Sequence, residues 1–96
     1  MLTGKQKRYL RGLANTIKPI FQVGKLGVND NMITQLNDAL EKRELIKISV
    51  LQNCLEDKRD VAAQIAEGTK GEVVQIIGNN IVLYKESVKD KQIELP

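Results

Sequence analysis

Ile20-Phe21-Gln22-Val23-Gly24-Lys25-Leu26-Gly27-Val28-Asn29-Asp30 sets a strand, a glycine loop and a helix cap side by side, and its reading decides the fold. The apolar run before Gly24 has the composition of a short buried strand, and the glycine stops it. After the loop, Asn29 and Asp30 offer side-chain oxygens to the free N–H groups of a helix start. Ile33, Leu36, Ala39 and Leu40 then recur at helical spacing and trace the inner face of a helix ending near Lys42 and Arg43. Beyond it, Ile46, Ile48 and Val50 alternate with Lys47 and Ser49, the period of a strand with one side against a core. Strand, helix and strand in that order imply a right-handed crossover between parallel strands.

Working outward, Thr3 and Gln6 have the spacing of a capping box, which starts a helix at about residue 4. Leu10, Leu13, Ala14 and Ile17 give that helix one buried stripe, and Pro19 ends it by disfavouring the helical conformation at Lys18. On the other side, a third helix starts near Asp57, buries Val61, Ala62, Ile65 and Ala66, and stops at Gly68 as a left-handed cap. Residues 73–77 and 81–84 form a hairpin through Gly78-Asn79-Asn80, residue types that tolerate the positive φ of tight turns. The expected order is α-β-α-β-α-β-β, an α/β fold with a four-stranded mixed sheet packed with helices. Two successive strand-helix-strand units predict parallel neighbours, and the hairpin adds an antiparallel strand. Residues 1–85 are expected to form one domain, and the polar, weakly periodic residues 86–96 an extended or frayed tail.

Composition removes several function classes. The chain has no histidine, which takes away the commonest general base, most catalytic triads and the most versatile metal ligand. Its single cysteine, Cys54, cannot form an internal disulfide and reads as a core or loop thiol, so no cofactor or metal is expected. No apolar stretch is long enough to cross a bilayer and no apolar signal core follows the N-terminal residues, so a cytoplasmic protein without a membrane partner is expected.

The charge is concentrated. Residues 1–27 contain Lys5, Lys7, Arg8, Arg11, Lys18 and Lys25 and no acid, a block of +6, whereas the whole chain is only +3. On a helix, Lys7, Arg11 and Lys18 fall within about 40° of one another, beside the apolar stripe. Cations in the first helical turns oppose the helix dipole and each cost a few tenths of a kcal/mol, roughly, so stability alone does not select them. Such an acid-free block produces a positive field suited to phosphate.

Gly24-Lys25-Leu26-Gly27 lets backbone approach a ligand without Cβ interference, places Lys25 at the tip, and precedes a helix N-terminus with outward N–H donors. The same spacing also serves a plain tight turn. Neither Gly-x-Gly-x-x-Gly nor Gly-x-x-x-x-Gly-Lys-[Ser/Thr] occurs, which favours a polyanion over a nucleotide or another small-molecule substrate. Aromatic residues are few: Phe21 is expected in the core and Tyr9 at its edge, so a single-strand stacking platform is disfavoured.

Several motifs occur in series: Leu2-Thr3-Gly4-Lys5-Gln6-Lys7-Arg8-Tyr9-Leu10-Arg11, then residues 17–27, then Glu44-Leu45-Ile46-Lys47, then Val74-Gln75-Ile76-Ile77-Gly78 with Val82-Leu83-Tyr84. Together they resemble the CRM domain (chloroplast RNA splicing and ribosome maturation) in its stand-alone bacterial, YhbY-like form. The resemblance implies a fold like the C-terminal domain of translation initiation factor three, with a glycine loop similar to that by which KH domains clamp RNA backbone. It also implies ribosomal RNA and precursors of the large ribosomal subunit as partners. By motif, Gly24, Lys25 and Gly27 are implied loop contacts, and Lys5, Lys7, Arg8 and Arg11 helix contacts; Leu26, inside the loop, and Lys18, in the basic block, are expected to join them. At Asn79-Asn80 and Lys85 the chain departs from relatives that often carry a basic residue in the turn and an arginine after the tyrosine.

The expected function is therefore a monomeric, non-enzymatic domain that binds the backbone of structured RNA. The rival reading is a protein-interaction module that docks its basic face on an acidic partner. A phosphate-processing enzyme fits least, since no base or metal site can be assembled near the loop.

Overall fold

The computed structural model describes residues 2–89 and 91–96. The elements are α1 (Gly4–Ala14), β1 (Phe21–Val23), α2 (Asp30–Arg43), β2 (Leu45–Val50), α3 (Lys58–Thr69), β3 (Glu72–Ile77) and β4 (Asn80–Tyr84). The order α-β-α-β-α-β-β and the four-stranded mixed sheet agree with the sequence reading. Each helix begins where its cap predicts. Gln6 N–H donates to Thr3 Oγ1 at 3.1 Å while Thr3 N–H donates to Gln6 Oε1 at 3.0 Å. Met32 N–H donates to Asn29 Oδ1 at 2.9 Å, and Arg59 N–H to Asp57 Oδ1 at 2.7 Å.

The strand order, β1-β2-β4-β3, corrects the expectation of two adjacent parallel pairs. β1 and β2 are parallel neighbours, but β4 lies between β2 and β3 and is antiparallel to both. The reason lies in β4 itself: Ile81, Val82, Leu83 and Tyr84 are all buried, so both of its faces need cover, which only a central strand receives. β3 has exposed Ile77 and a register shift between Val73 and Gln75, and it takes the edge.

Both faces of the sheet are covered. Ile46, Ile48, Val50, Ile81 and Leu83 pack with Leu36 and Leu40 of α2 and Val61, Ala62 and Ile65 of α3. On the opposite face, Leu10 and Ala14 of α1 pack with Leu45, Val74, Val82 and Tyr84. Phe21, partly buried, packs against the first cluster, and Cys54 is a partly buried loop thiol beside it.

Local boundaries differ from the sequence reading in four places. α1 ends at Ala14, because Asn15, Thr16 and Ile17 turn back onto Gly12, Leu13 and Ala14 in tighter i to i+3 bonds, well before Pro19. Lys18 thus lies in the connection and not on the helix face. Ile20 lies just before β1 and is exposed, although its N–H reaches Lys47 O at 3.0 Å. Asn80 belongs to β4, leaving a two-residue turn in which Gly78 alone has positive φ. Gly68 does not cap α3; it lies inside the helix, and Lys70 adopts the left-handed conformation instead. A Cβ on Gly68 would come within 2.7 Å of Ile33 Cδ1 and 3.0 Å of its Cγ1, so this glycine is where α3 meets α2.

The tail is extended but not frayed. Glu44, the C-cap of α2, is fully buried, and its carboxylate accepts N–H from Ser87 at 2.8 Å and from Gln92 and Ile93 at 2.6 Å each. Ser87 Oγ and Lys89 N–H donate to Glu41, the Gln92 amide donates to the Lys42 carbonyl, and Ile93 and Leu95 pack against the α1 cluster. Burial by itself would raise the Glu44 pKa, but the three backbone N–H groups outweigh it and hold the carboxyl below its ordinary value.

A carboxyl with a depressed folded-state pKa gives stability that is present above the unfolded value and lost as pH falls through the folded one. Below the ordinary value of 4.5, Ile93 and Leu95 methyl resonances are therefore expected to move to disordered positions while Ile48 stays. Simultaneous movement of all three would contradict a local latch. At neutral pH, Gly68→Val is expected to lower stability by about 1–3 kcal/mol through overpacking. Gly12→Ala, exposed and with nothing within 4 Å of its Cβ, should raise it by about 0.5–1 kcal/mol. Chemical denaturation reads both.

Candidate nucleic-acid interface

α1 lies across one face of the sheet with its stripe inward, so Lys5, Arg8 and Arg11 are exposed on its outer surface. Lys7 is partly exposed and its Nζ is 4.0 Å from Glu72 Oε2, a surface pair that offsets part of its charge. Lys18, in the connection, and Lys25, at the loop tip, are exposed. Tyr9 is 43% exposed and does not join the core, which corrects its expected place and leaves its ring open on the basic helix.

The glycine loop closes through Gly27 N–H donating to Gly24 O at 3.0 Å. Only Gly27 needs to be glycine: its φ is +68° and a Cβ there would meet Glu56 Oε2 at 2.8 Å. A Cβ on Gly24 would make ordinary contacts with Asn53 and Leu51. Leu26 is 89% exposed beside Lys25, and Leu55, on the neighbouring β2–α3 loop, is 83% exposed.

At the N-terminus of α2, Asn29 Oδ1 takes the Met32 N–H, and Asp30 adds an acid in the first turn that weakens the pull of the helix dipole on an anion. Lys7, near the start of α1, and the glycine loop lie towards opposite ends of the sheet. Lys7 is tied to Glu72, which pairs with Tyr84 and through it with Leu45, whereas the loop follows Val23, paired with Val50. The two ends of β2 are five residues apart in register, or about 17 Å.

Two charged residues at this surface escape sequence reasoning. Lys47 alternates with Ile46 and Ile48, which face α2 and α3, so its side chain is on the α1 face between the helix and the β1 edge. Its alternation was legible, but the element on that face was not. Glu56 lies against Gly27 and accepts from Gln64 Nε2 at 2.9 Å, placing an acid beside the loop. No local motif announces it, because the contact joins two loops distant in sequence. Among the described residues no cluster of metal-ligating side chains is present, and no helix is long and apolar enough to cross a membrane.

The fold and its surface define a small α/β module with exposed cations on one helix, one connection and one glycine loop. The sequence pattern of the CRS1/YhbY (CRM) domain matches residues 2–85. The chain is 68% identical over 96 residues to the "Probable RNA-binding protein YqeI" of Bacillus subtilis (strain 168), covering 100% of each. It is 36% identical over 95 residues to an RNA-binding protein of Haemophilus influenzae, covering 99% of this chain and 95% of that one. The solution structure of SAV1595 from Staphylococcus aureus superposes with a TM-score of 0.83 at 60% identity, covering 100% of both chains. The chain belongs to the CRS1/YhbY (CRM) domain family.

Glu56 supplies a test of the loop. Removing one negative charge at contact distance from a bound phosphate is worth about 1 kcal/mol in water, or roughly fivefold in affinity. Glu56→Gln is expected to tighten binding to a polyanionic ligand by that order at low salt, with the gain fading as salt rises. Fluorescence anisotropy measures it, and an unchanged affinity would argue against the loop as a contact.

Proposed function

We propose that this chain is a non-enzymatic RNA-binding domain that grips the phosphate backbone of structured RNA. Its target is ribosomal RNA in precursors of the large subunit, where it acts as a monomeric assembly factor. The observation that carries the reading is the set of exposed cations Lys5, Arg8, Arg11, Lys18 and Lys25 on a chain whose family relatives are named as RNA-binding proteins. Lys7 joins them at reduced weight because Glu72 shares it. Gly24, Leu26 and Gly27 shape the loop that presents Lys25.

Binding through phosphates is sequence-tolerant and salt-dependent, since each neutralised phosphate releases condensed counterions. Base edges of duplex RNA lie in a deep, narrow major groove that side chains do not read, so backbone geometry is what a domain of this size can recognise. With few aromatics, only Tyr9 is placed to stack on a base from the helix.

The test is a salt titration of binding to large-subunit ribosomal RNA fragments by the wild-type chain and by an Arg11→Ala, Lys18→Ala, Lys25→Ala variant. The variant should bind more weakly across all fragments, with a log–log salt slope shallower by about 2–3. Equal affinity and slope would remove the proposed site. Salt-sensitive co-sedimentation with large-subunit precursors, abolished in the same variant, is expected for the assembly role. A complex that survives nuclease treatment would instead favour docking on an acidic protein.

A further inference from the structure

α1 covers only part of its side of the sheet. It packs over Leu45, Val74, Val82 and Tyr84 and leaves a strip towards the glycine loop uncovered. The register defines this strip: Gln22 pairs with Ser49, Ser49 with Asn80, and Asn80 with Ile77, one residue from each of the four strands in a single row. At the usual spacing between strands the row is about 14 Å long. One step back, Lys47 and Gln75 flank the covered Val82. The strand neighbours Phe21, Val23, Ile48, Val50, Ile76 and Ile81 all pack against α2 and α3, so alternation places the row's side chains on the α1 side.

The chemistry of the strip is unusual for a surface that only meets water. None of these positions is acidic, although the chain has twelve acids. Gln22 and Ile77 are exposed, while Ser49, Asn80, Gln75 and Lys47 are partly exposed. Among the described residues, no hydrogen bond joins the side chain of Gln22, Ser49, Gln75 or Asn80 to the rest of the protein. The row lies immediately before the Gly24–Gly27 loop and the Gly78 turn, and so bridges the gap between the loop and the cations of α1.

We propose that this strip is a second contact surface for RNA, in which the amides of Gln22, Gln75 and Asn80 and the Ser49 hydroxyl bind ribose 2′-hydroxyls. The proposal rests on the RNA-binding reading above. A row of side chains held in register by a hydrogen-bonded sheet suits the wide, shallow minor groove of A-form RNA, which displays 2′-hydroxyls. A 2′-hydroxyl both donates and accepts, as do amides and hydroxyls, whereas cations alone would meet phosphate. Ile77 offers an apolar contact to a ribose at the end of the row. α1 and Lys25 then supply the sequence-tolerant grip, and the strip makes the domain select ribose.

The experiment compares binding of a perfect RNA duplex with the same duplex carrying 2′-O-methyl riboses, which keeps the A form and removes the hydroxyl donor. Three proteins are used: wild type, Gln22→Ala with Gln75→Ala and Asn80→Ala, and the single edge-strand variant Gln22→Ala in case the triple variant folds poorly. Wild type should prefer the unmodified duplex by at least about fivefold, the order of one hydrogen bond. The triple variant, which keeps only Ser49 of the four, should lose most of this preference with the wild-type salt slope, and Gln22→Ala should fall between. Equal binding of the two duplexes by wild type, or an undiminished preference in the triple variant and in Gln22→Ala, would overturn the strip while leaving the cationic grip standing. Failure of wild type to bind either duplex would overturn the RNA-binding reading and the strip with it.

Discussion

Ile81-Val82-Leu83-Tyr84 is apolar on both faces of β4, and the arrangement of the molecule follows from the need to cover both. Pairing on two sides puts this strand in the middle of the sheet, between β2 and β3. α2 and α3 cover Ile81 and Leu83; on the other side α1 covers Val82 and Tyr84. A helix running from Gly4 to Ala14 is only about 16 Å long, shorter than the face it lies on. The remainder of that face is completed by Ile93 and Leu95 of the tail at one end and left open to solvent at the other. The open end is polar and carries no acid, which is why it can serve a ligand without weakening the core.

Glu44 joins the tail to this plan. It holds a positive φ of 63°, a conformation that costs a non-glycine residue on the order of 1–3 kcal/mol. Surrounding contacts determine it fully: its N–H donates to Leu40 O, its carbonyl accepts from Lys85 N–H, and its carboxylate takes three N–H groups of the tail. A buried carboxylate is tolerable only when its acceptor sites are filled, so the tail and Glu44 stabilise each other. The same contact places Glu44 and Glu86 near Tyr84, whose pKa is raised first by burial and then by these two charges. Tyr84 therefore stays a neutral member of the α1 cluster.

The electrostatic surface is less uniform than its charge count. Glu72 engages Lys7, and Glu56 sits beside the glycine loop, so two acids from the rest of the chain temper the basic block. Asp30, in the first turn of α2, is a third acid close to the loop in sequence. In the proposed function the grip falls on separated cations, Arg8 and Arg11 on the helix, Lys18 in the connection and Lys25 on the loop, with Lys47 between them on the sheet. A ligand that meets all of them must be extended and rigid, a description that suits an RNA helix better than a free phosphate or a nucleotide.

The sequence by itself determined the elements and the N-terminal caps of the helices, because Thr3, Asn29 and Asp57 act on backbone groups two or three residues away and apolar periodicity is a local property. It also showed the basic block and the glycine loop, which are contiguous in the chain. What it could not show depends on contacts between distant residues. Gly68 read as a cap is a packing point against Ile33, and the tail read as frayed is held by Glu44. The place of β4 in the sheet, the acid at the loop and the uncovered strip of Gln22, Ser49 and Asn80 are likewise absent from any local pattern. Secondary structure responds to neighbours along the chain, but which faces are covered and which remain open is set by the competition of all apolar surfaces for burial, and only the tertiary structure resolves that competition.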